Sequence, residues 1–212
     1  MKIHFGLSLA VLALSGAASA QFVNGNFETG DFTGWTLGLT SAGAQTFQSV
    51  VDFDVDGPGP LGTSKVAQFS AGRAAGITVG EHGVTMTQIL NLTGGVEYTF
   101  EFDWAAHRTP GSGSNTQGGI FALMVDGVEV NRSAAGPTSG AAPVFGHHMG
   151  TFTPGSTGNY EVGVWIVRPF TVPANNTLFQ SVDNFTATSV PEPATMAILG
   201  LGAAAALRRR KK

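Results

Sequence analysis

The chain has 212 residues, no cysteine and a formal net charge of −3, with its basic residues crowded at the two ends. Lys2 and residues 208–212 hold six of the eleven Lys and Arg, so residues 21–189 keep five basic against thirteen acidic groups. An acidic central segment argues against nucleic acid or an anionic lipid surface as its partner, and without cysteine it has no disulfide bracing. Thirty Gly and ten Pro make a turn-rich chain, while fifteen Phe and three Trp supply a core, which excludes a disordered composition.

Residues 1–20 have the physics of a secretory signal peptide. Lys2 is the basic start, residues 7–14 are apolar, and Ala18, Ser19 and Ala20 are the small residues a signal peptidase requires. Cleavage between Ala20 and Gln21 leaves a domain of residues 21–189.

That domain alternates with period two and shows almost no helical period. Strands are expected at residues 21–28, 44–52, 65–70 and 84–92. At 96–104, VEYTFEFDW, Val96, Tyr98, Phe100, Phe102 and Trp104 share one face and acidic or polar residues the other, as in a half-buried antiparallel strand. Residues 118–130 carry Asp126-Gly127 between two apolar runs, the pair that suits a type I′ hairpin. Further strands are expected at 160–167 and 179–188. Eight or so short strands divided by Gly/Pro-rich turns point to an all-β, two-sheet jelly-roll sandwich. Residues 52–62, 109–117 and 134–143 are its long loops. The first holds Asp52, Asp54 and Asp56 but lacks the glycine spacing and distal Glu of an EF-hand, so it is expected to be a solvated acidic loop.

The tail, residues 190–212, opens on Val190, Pro191, Glu192 and Pro193, continues with fourteen apolar or small residues at 194–207, and ends in five basic residues. The two prolines disfavour helix, leaving an extended, accessible stretch. As a helix the apolar run would reach about 21 Å, short of a hydrocarbon core about 30 Å thick. It suits transient membrane association better than permanent anchoring, and the basic end would stay on the cytoplasmic side. These three ordered elements resemble the PEP-CTERM sorting signal of Gram-negative bacteria. The resemblance implies recognition and removal by an exosortase-type membrane protease, and a destination in the cell envelope or extracellular matrix; a permanent anchor is the alternative.

The segment FVNGNFETGDFTGW, residues 22–35, resembles the opening of galactose-binding-like jelly rolls, which include many carbohydrate-binding modules. Residues 181–185, SVDNF, resemble the closing strand of the same fold. The resemblance implies a structural calcium held by the side chains of Glu28 and Asp183, with backbone carbonyls near Asn24 or Asn26 and with Asp31 completing an oxygen shell. Otherwise Glu28 and Asp183 are solvated residues at turns.

Sugar binding needs an aromatic plate and a few polar side chains on a preformed surface. Trp35 and Trp104 fall in core phase. Trp165 lies out of phase with Val164 and Ile166, and suits either core or surface. His107 and Arg108 end a strand beside the loop that holds Asn115 and Gln117. These four residues with Trp165 are the candidate ligand-binding set. His147 and His148 are adjacent and so face opposite ways on a strand, and no HExxH, GxSxG or P-loop pattern occurs. The sequence thus points to a non-enzymatic exported protein that associates with exopolysaccharide. A purely structural or adhesive matrix protein is the rival, and a hydrolase the third reading, for which no carboxylate pair can be named.

Overall fold

The computed structural model describes residues 20–57, 62–112, 114–115, 117–139 and 142–190. The expected signal peptide up to residue 19, and the expected Pro191-Glu192-Pro193 motif, apolar helix and basic end, lie outside them. The chain forms β1 (Thr36–Leu39), β2 (Gly43–Phe53), β3 (Ser64–Arg73), β4 (His82–Leu92), β5 (Tyr98–Arg108), β6 (Ser114–Asn115), β7 (Ile120–Val125), β8 (Val128–Ala134), β9 (Thr138–Ser139), β10 (Val144–Phe152), β11 (Gly158–Arg168) and β12 (Leu178–Ser189). One antiparallel sheet has the order β1-β4-β11-β7-β8 and the other β10-β5-β12-β3-β2, while β6 and β9 make a small separate ladder. Successive strands cross repeatedly from sheet to sheet, which makes the sandwich a jelly roll.

The alternation in β5 sets the packing. Tyr98, Phe100, Phe102 and Trp104 are buried between the sheets, where Trp104 stacks on Phe121 of the facing sheet at 4.8 Å. Phe22, Phe27, Trp35 and Phe185 close one end as an aromatic cluster, with Trp35 and Phe185 centroids 4.7 Å apart. Asp126 and Gly127 both have positive φ, 49° and 73°, as a type I′ turn requires, and join β7 to β8.

The structure departs from the sequence reading at several places: β1 was not anticipated, and the loops expected at 109–117 and 134–143 pair through β6 and β9. Residues 21–28 form turns in place of a strand, because Asn24 and Phe27 take positive φ of 51° and 52°. A side chain replaces the missing ladder: the Val23 N–H donates to Gln88 Oε1 at 2.9 Å, and Gln88 Nε2 donates back to the Val23 carbonyl at 2.6 Å. β10 was not anticipated, since Gly146 and the two histidines obscure its alternation. Gly146 is required there, because a Cβ at that position would lie 2.2 Å from the Trp104 ring. Finally, the acidic loop after β2 is more than solvated chain. Val55 is 1% exposed and packs with Val66 and Ala105, which folds the loop onto the outer face of the second sheet.

Candidate functional site

The outer face of the second sheet collects the unusual chemistry. His107 and Asp103 of β5 point outward, opposite in phase to Phe102 and Trp104. In register beside them stand Phe179 and Asp183 of β12, and His147 of β10. β2 carries Phe47 and Phe53 along its length, and its end, continuing into Val55, arches over this face. The outcome is a continuous row of half-buried rings. Phe145 lies 6.5 Å from Phe53, Phe53 stacks on His107 at 4.5 Å and 12°, His107 stacks on Phe179 at 5.3 Å, and Phe47 meets Phe179 edge-on at 5.3 Å.

Polar atoms lie beneath and beside the rings. Gln68 Nε2 donates to Ser181 Oγ at 3.1 Å, both residues being buried. Ser70 Oγ, His107 Nδ1, Asp54 Oδ1 and Asp183 Oδ1 are buried and have no hydrogen-bond partner. A buried polar atom without a partner costs roughly 1–3 kcal/mol, and four such atoms on one sheet face mark hydrogen-bonding capacity that the fold leaves unused. Burial holds the His107 imidazole below its ordinary pKa, so the ring is neutral near pH 7.

The carboxylates lie along the same face. Asp103 accepts from His147 Nδ1 and from Asn184 Nδ2, each at 2.8 Å. Asp183 is fully buried, and its Oδ2 accepts from Ser64 Oγ at 2.8 Å. Burial, reinforced by the charges of Asp103 and Glu28, pushes its carboxyl up to about 7. Asp56 is raised too, by desolvation and then by its hydrogen bond to Asp54.

Of the five residues expected to bind ligand, the structure places only His107 in the ring row. Arg108, next on the strand, turns the other way and donates through Nε and Nη2 to the Oγ and carbonyl of Ser112. Asn115 belongs to the β6–β9 ladder opposite Thr138. Gln117 accepts from the Gly119 N–H through its side chain, and from Arg168 Nε through its carbonyl. Trp165 lies in β11 between Thr85 and Ala122, on the outer face of the first sheet and so on the other side of the molecule. Phe47, Phe53, Ser70, Phe145 and Phe179, which share this face, were not among the candidates. Their signal was the alternation of Phe47, Ser49, Val51 and Phe53, and of Phe179, Ser181 and Asp183, each set sharing one face.

Glu28 lies near enough to Asp183 for its charge to help raise the Asp183 carboxyl. The Lys65 N–H donates to Glu28 Oε1 at 3.3 Å, one residue along from the Ser64 that bonds Asp183. The buried Asp183 Oδ1, without a hydrogen-bond partner, is an oxygen donor of the kind a hard cation takes. The supposed auxiliaries are engaged elsewhere, with the Asn24 carbonyl accepting from Trp35 Nε1, and Asp31 Oδ1 accepting from Thr29 Oγ1 and the Thr33 N–H. Among the described residues no three His, Asp or Glu side chains are grouped as metal ligands.

At the ends of the domain, Ala20 and Gln21 border a cleft beside β12, and the Val190 N–H donates to the Glu97 carbonyl at 2.8 Å. Residue 189 is thus the last of the sheet. Residues 189–211 match the PEP-CTERM protein-sorting motif. The sorting motif therefore begins on the last residue of β12, and it makes this an exported protein processed at the cell envelope, with an exosortase as the implied processing partner. Among the described residues no helix is long and apolar enough to cross a membrane. No curated protein sequence matches the chain. Solved structures similar to it include TmCBM61 in complex with β-1,4-galactotriose, at 17% identity and TM-score 0.45, over 80% of this chain and 99% of that one. The CBM22-1 xylan-binding domain of Xyn10C from Paenibacillus barcinonensis is 13% identical with TM-score 0.44, over 84% and 99%. A cyclase from Fischerella sp. TAU is 13% identical with TM-score 0.45, over 83% and 98%.

Proposed function

We propose that this exported protein is a non-enzymatic carbohydrate-binding sandwich that associates with exopolysaccharide in the envelope or extracellular matrix of a Gram-negative bacterium. The observation that carries the reading is the row of half-buried rings formed by Phe145, Phe53, His107, Phe179 and Phe47. Aromatic faces meet the apolar C–H faces of pyranose rings. A hydrolase is disfavoured because Asp183, the carboxyl raised into the range of a general acid, is fully buried and cannot touch a glycosidic oxygen. In this reading the sorting tail associates transiently with the membrane through residues 194–207 and is removed by an exosortase-type protease. Glu28 and Asp183 would hold a calcium whose charge offsets that of the buried Asp183 carboxylate.

The test is a binding screen of residues 21–189 against neutral, acidic and amino-substituted polysaccharides, with wild type, His107→Ala, Phe179→Ala and Trp165→Ala compared. Saturable binding lost in the first two variants and kept in the third is expected. Folded protein that binds none of the polymers would sink the reading and leave a structural matrix role. Loss confined to Trp165→Ala would move the site to the first sheet.

A further inference from the structure

A second concavity lies away from the ring row. Residues 20–26 and the stretch 184–187 of β12 wall a cleft of about 570 Å³. Phe22 and Phe185 are buried rings in its wall, Ala20 is 7% exposed within it, and Gln21 is exposed beside Ala20. The other side chains lining it are amides, a hydroxyl and alanine methyl, with no carboxylate.

We propose that Gln21, once the bond to Ala20 is cut, closes into a pyroglutamyl residue whose lactam ring lies in this cleft. The inference rests on export with cleavage after Ala20. Removal of Ala20 widens the cleft where the new amino terminus appears. An α-amine has an ordinary pKa of about 7.7–8.0. At neutral pH and above, a substantial fraction of such an amine is therefore the free nucleophile, and the cleft offers no carboxylate to hold it as ammonium. The amine lone pair attacks Cδ of the same residue's side chain. The N–Cδ bond forms, the Cδ–Nε2 bond breaks, and the amine's proton leaves with the amide nitrogen as ammonia. No oxidant or co-reactant enters. The product carries no charge, presents a carbonyl and an N–H to Asn26 and Thr186, and leaves no free amine for an aminopeptidase.

Mass spectrometry of the N-terminal peptide from protein exported by its producing cell tests this. The expected peptide begins at residue 21, is lighter than its sequence by one ammonia, and resists amine-reactive label and aminopeptidase. A Gln21→Ala variant, processed at the same bond, should keep a reactive amine and its full mass. A wild-type peptide that begins at residue 21 with full mass and a labelled amine would overturn the proposal while leaving the cleavage reading intact. A peptide that begins elsewhere would overturn both. Neither result bears on the polysaccharide test, which is read at His107 and Phe179.

Discussion

Replacing Asp183 by Asn should stabilise the domain in chelator at pH 8, against the usual effect of altering a buried polar residue. The carboxyl titrates near 7 in the folded protein against an ordinary value of 3.8. The folded state therefore binds more protons than the unfolded chain between those values, and stability falls as pH rises through that window, then levels above it. Three pKa units correspond to about 4 kcal/mol, an upper figure. At about 2–4 °C per kcal/mol for a domain of this size, the gain in Tm is on the order of 10 °C. Ser64 Oγ can still donate to the amide oxygen, and the uncharged side chain no longer repels Asp103 and Glu28. The assay is thermal unfolding of wild type and Asp183→Asn at pH 4 and pH 8, in chelator and in excess calcium. A gain at pH 8, little change at pH 4, and a calcium-dependent rise in Tm confined to wild type are expected. If Asp183→Asn destabilises equally at both pH values in chelator, burial of a charge is not what sets the energetics there.

The remaining predictions address other parts of the fold. His148 is buried, hydrogen-bonded to Ser133 Oγ through Nδ1, and held below its ordinary pKa by burial and then by His147. Stability should thus fall as pH drops through about 6.5, the value of an unfolded His, an effect best measured by thermal unfolding in the Asp183→Asn background and flattened by His148→Phe. Gly146→Ala should cost at least about 1–3 kcal/mol in a denaturant titration, because its methyl would meet the Trp104 ring. Val55→Ala removes two buried carbons from the loop that arches over Phe53, and about 1–2 kcal/mol of lost stability is expected. Weaker polysaccharide binding in calorimetry should accompany it.

The fold was legible because burial follows period two. Six of the seven strands expected outside the hairpin, and both strands of the hairpin, match observed elements at least in part, since Tyr98 to Trp104 and Leu178 to Ser189 alternate as the sandwich demands. The failure at residues 21–28 has a local cause: the apolar pattern is real, but Phe22 and Phe27 reach the core from turns held by Gln88, a partner about sixty residues away. The outer face of the second sheet was less legible. Chain proximity put His107, Arg108, Asn115 and Gln117 together, whereas a strand sends neighbours to opposite sides, and the partners of His107 arrive from β2 and β12. No local pattern reports which strands lie side by side. The resemblance spanning both ends of the domain named Glu28 and Asp183 together, and the charge of Glu28 does act on the Asp183 carboxyl.

The placement of the two chain ends gives the ring row a direction. Ala20 and Ala187 border the same cleft, and Val190 is bonded to Glu97 just before the start of β5. His107 lies nine residues further along β5, and at about 3.3 Å per residue that is roughly 30 Å from the tail. A domain still joined to the membrane by residues 194–207 would therefore hold its rings away from the bilayer. The chain has no cysteine, so single cysteines introduced at Glu97 and at Thr109 can each carry a fluorophore on the full chain in vesicles with a quenching lipid. Quenching at residue 97 should exceed that at residue 109. Equal quenching at both would mean that the domain lies on its side, with the ring row within reach of the headgroups and hindered from binding polymer until the tail is cut.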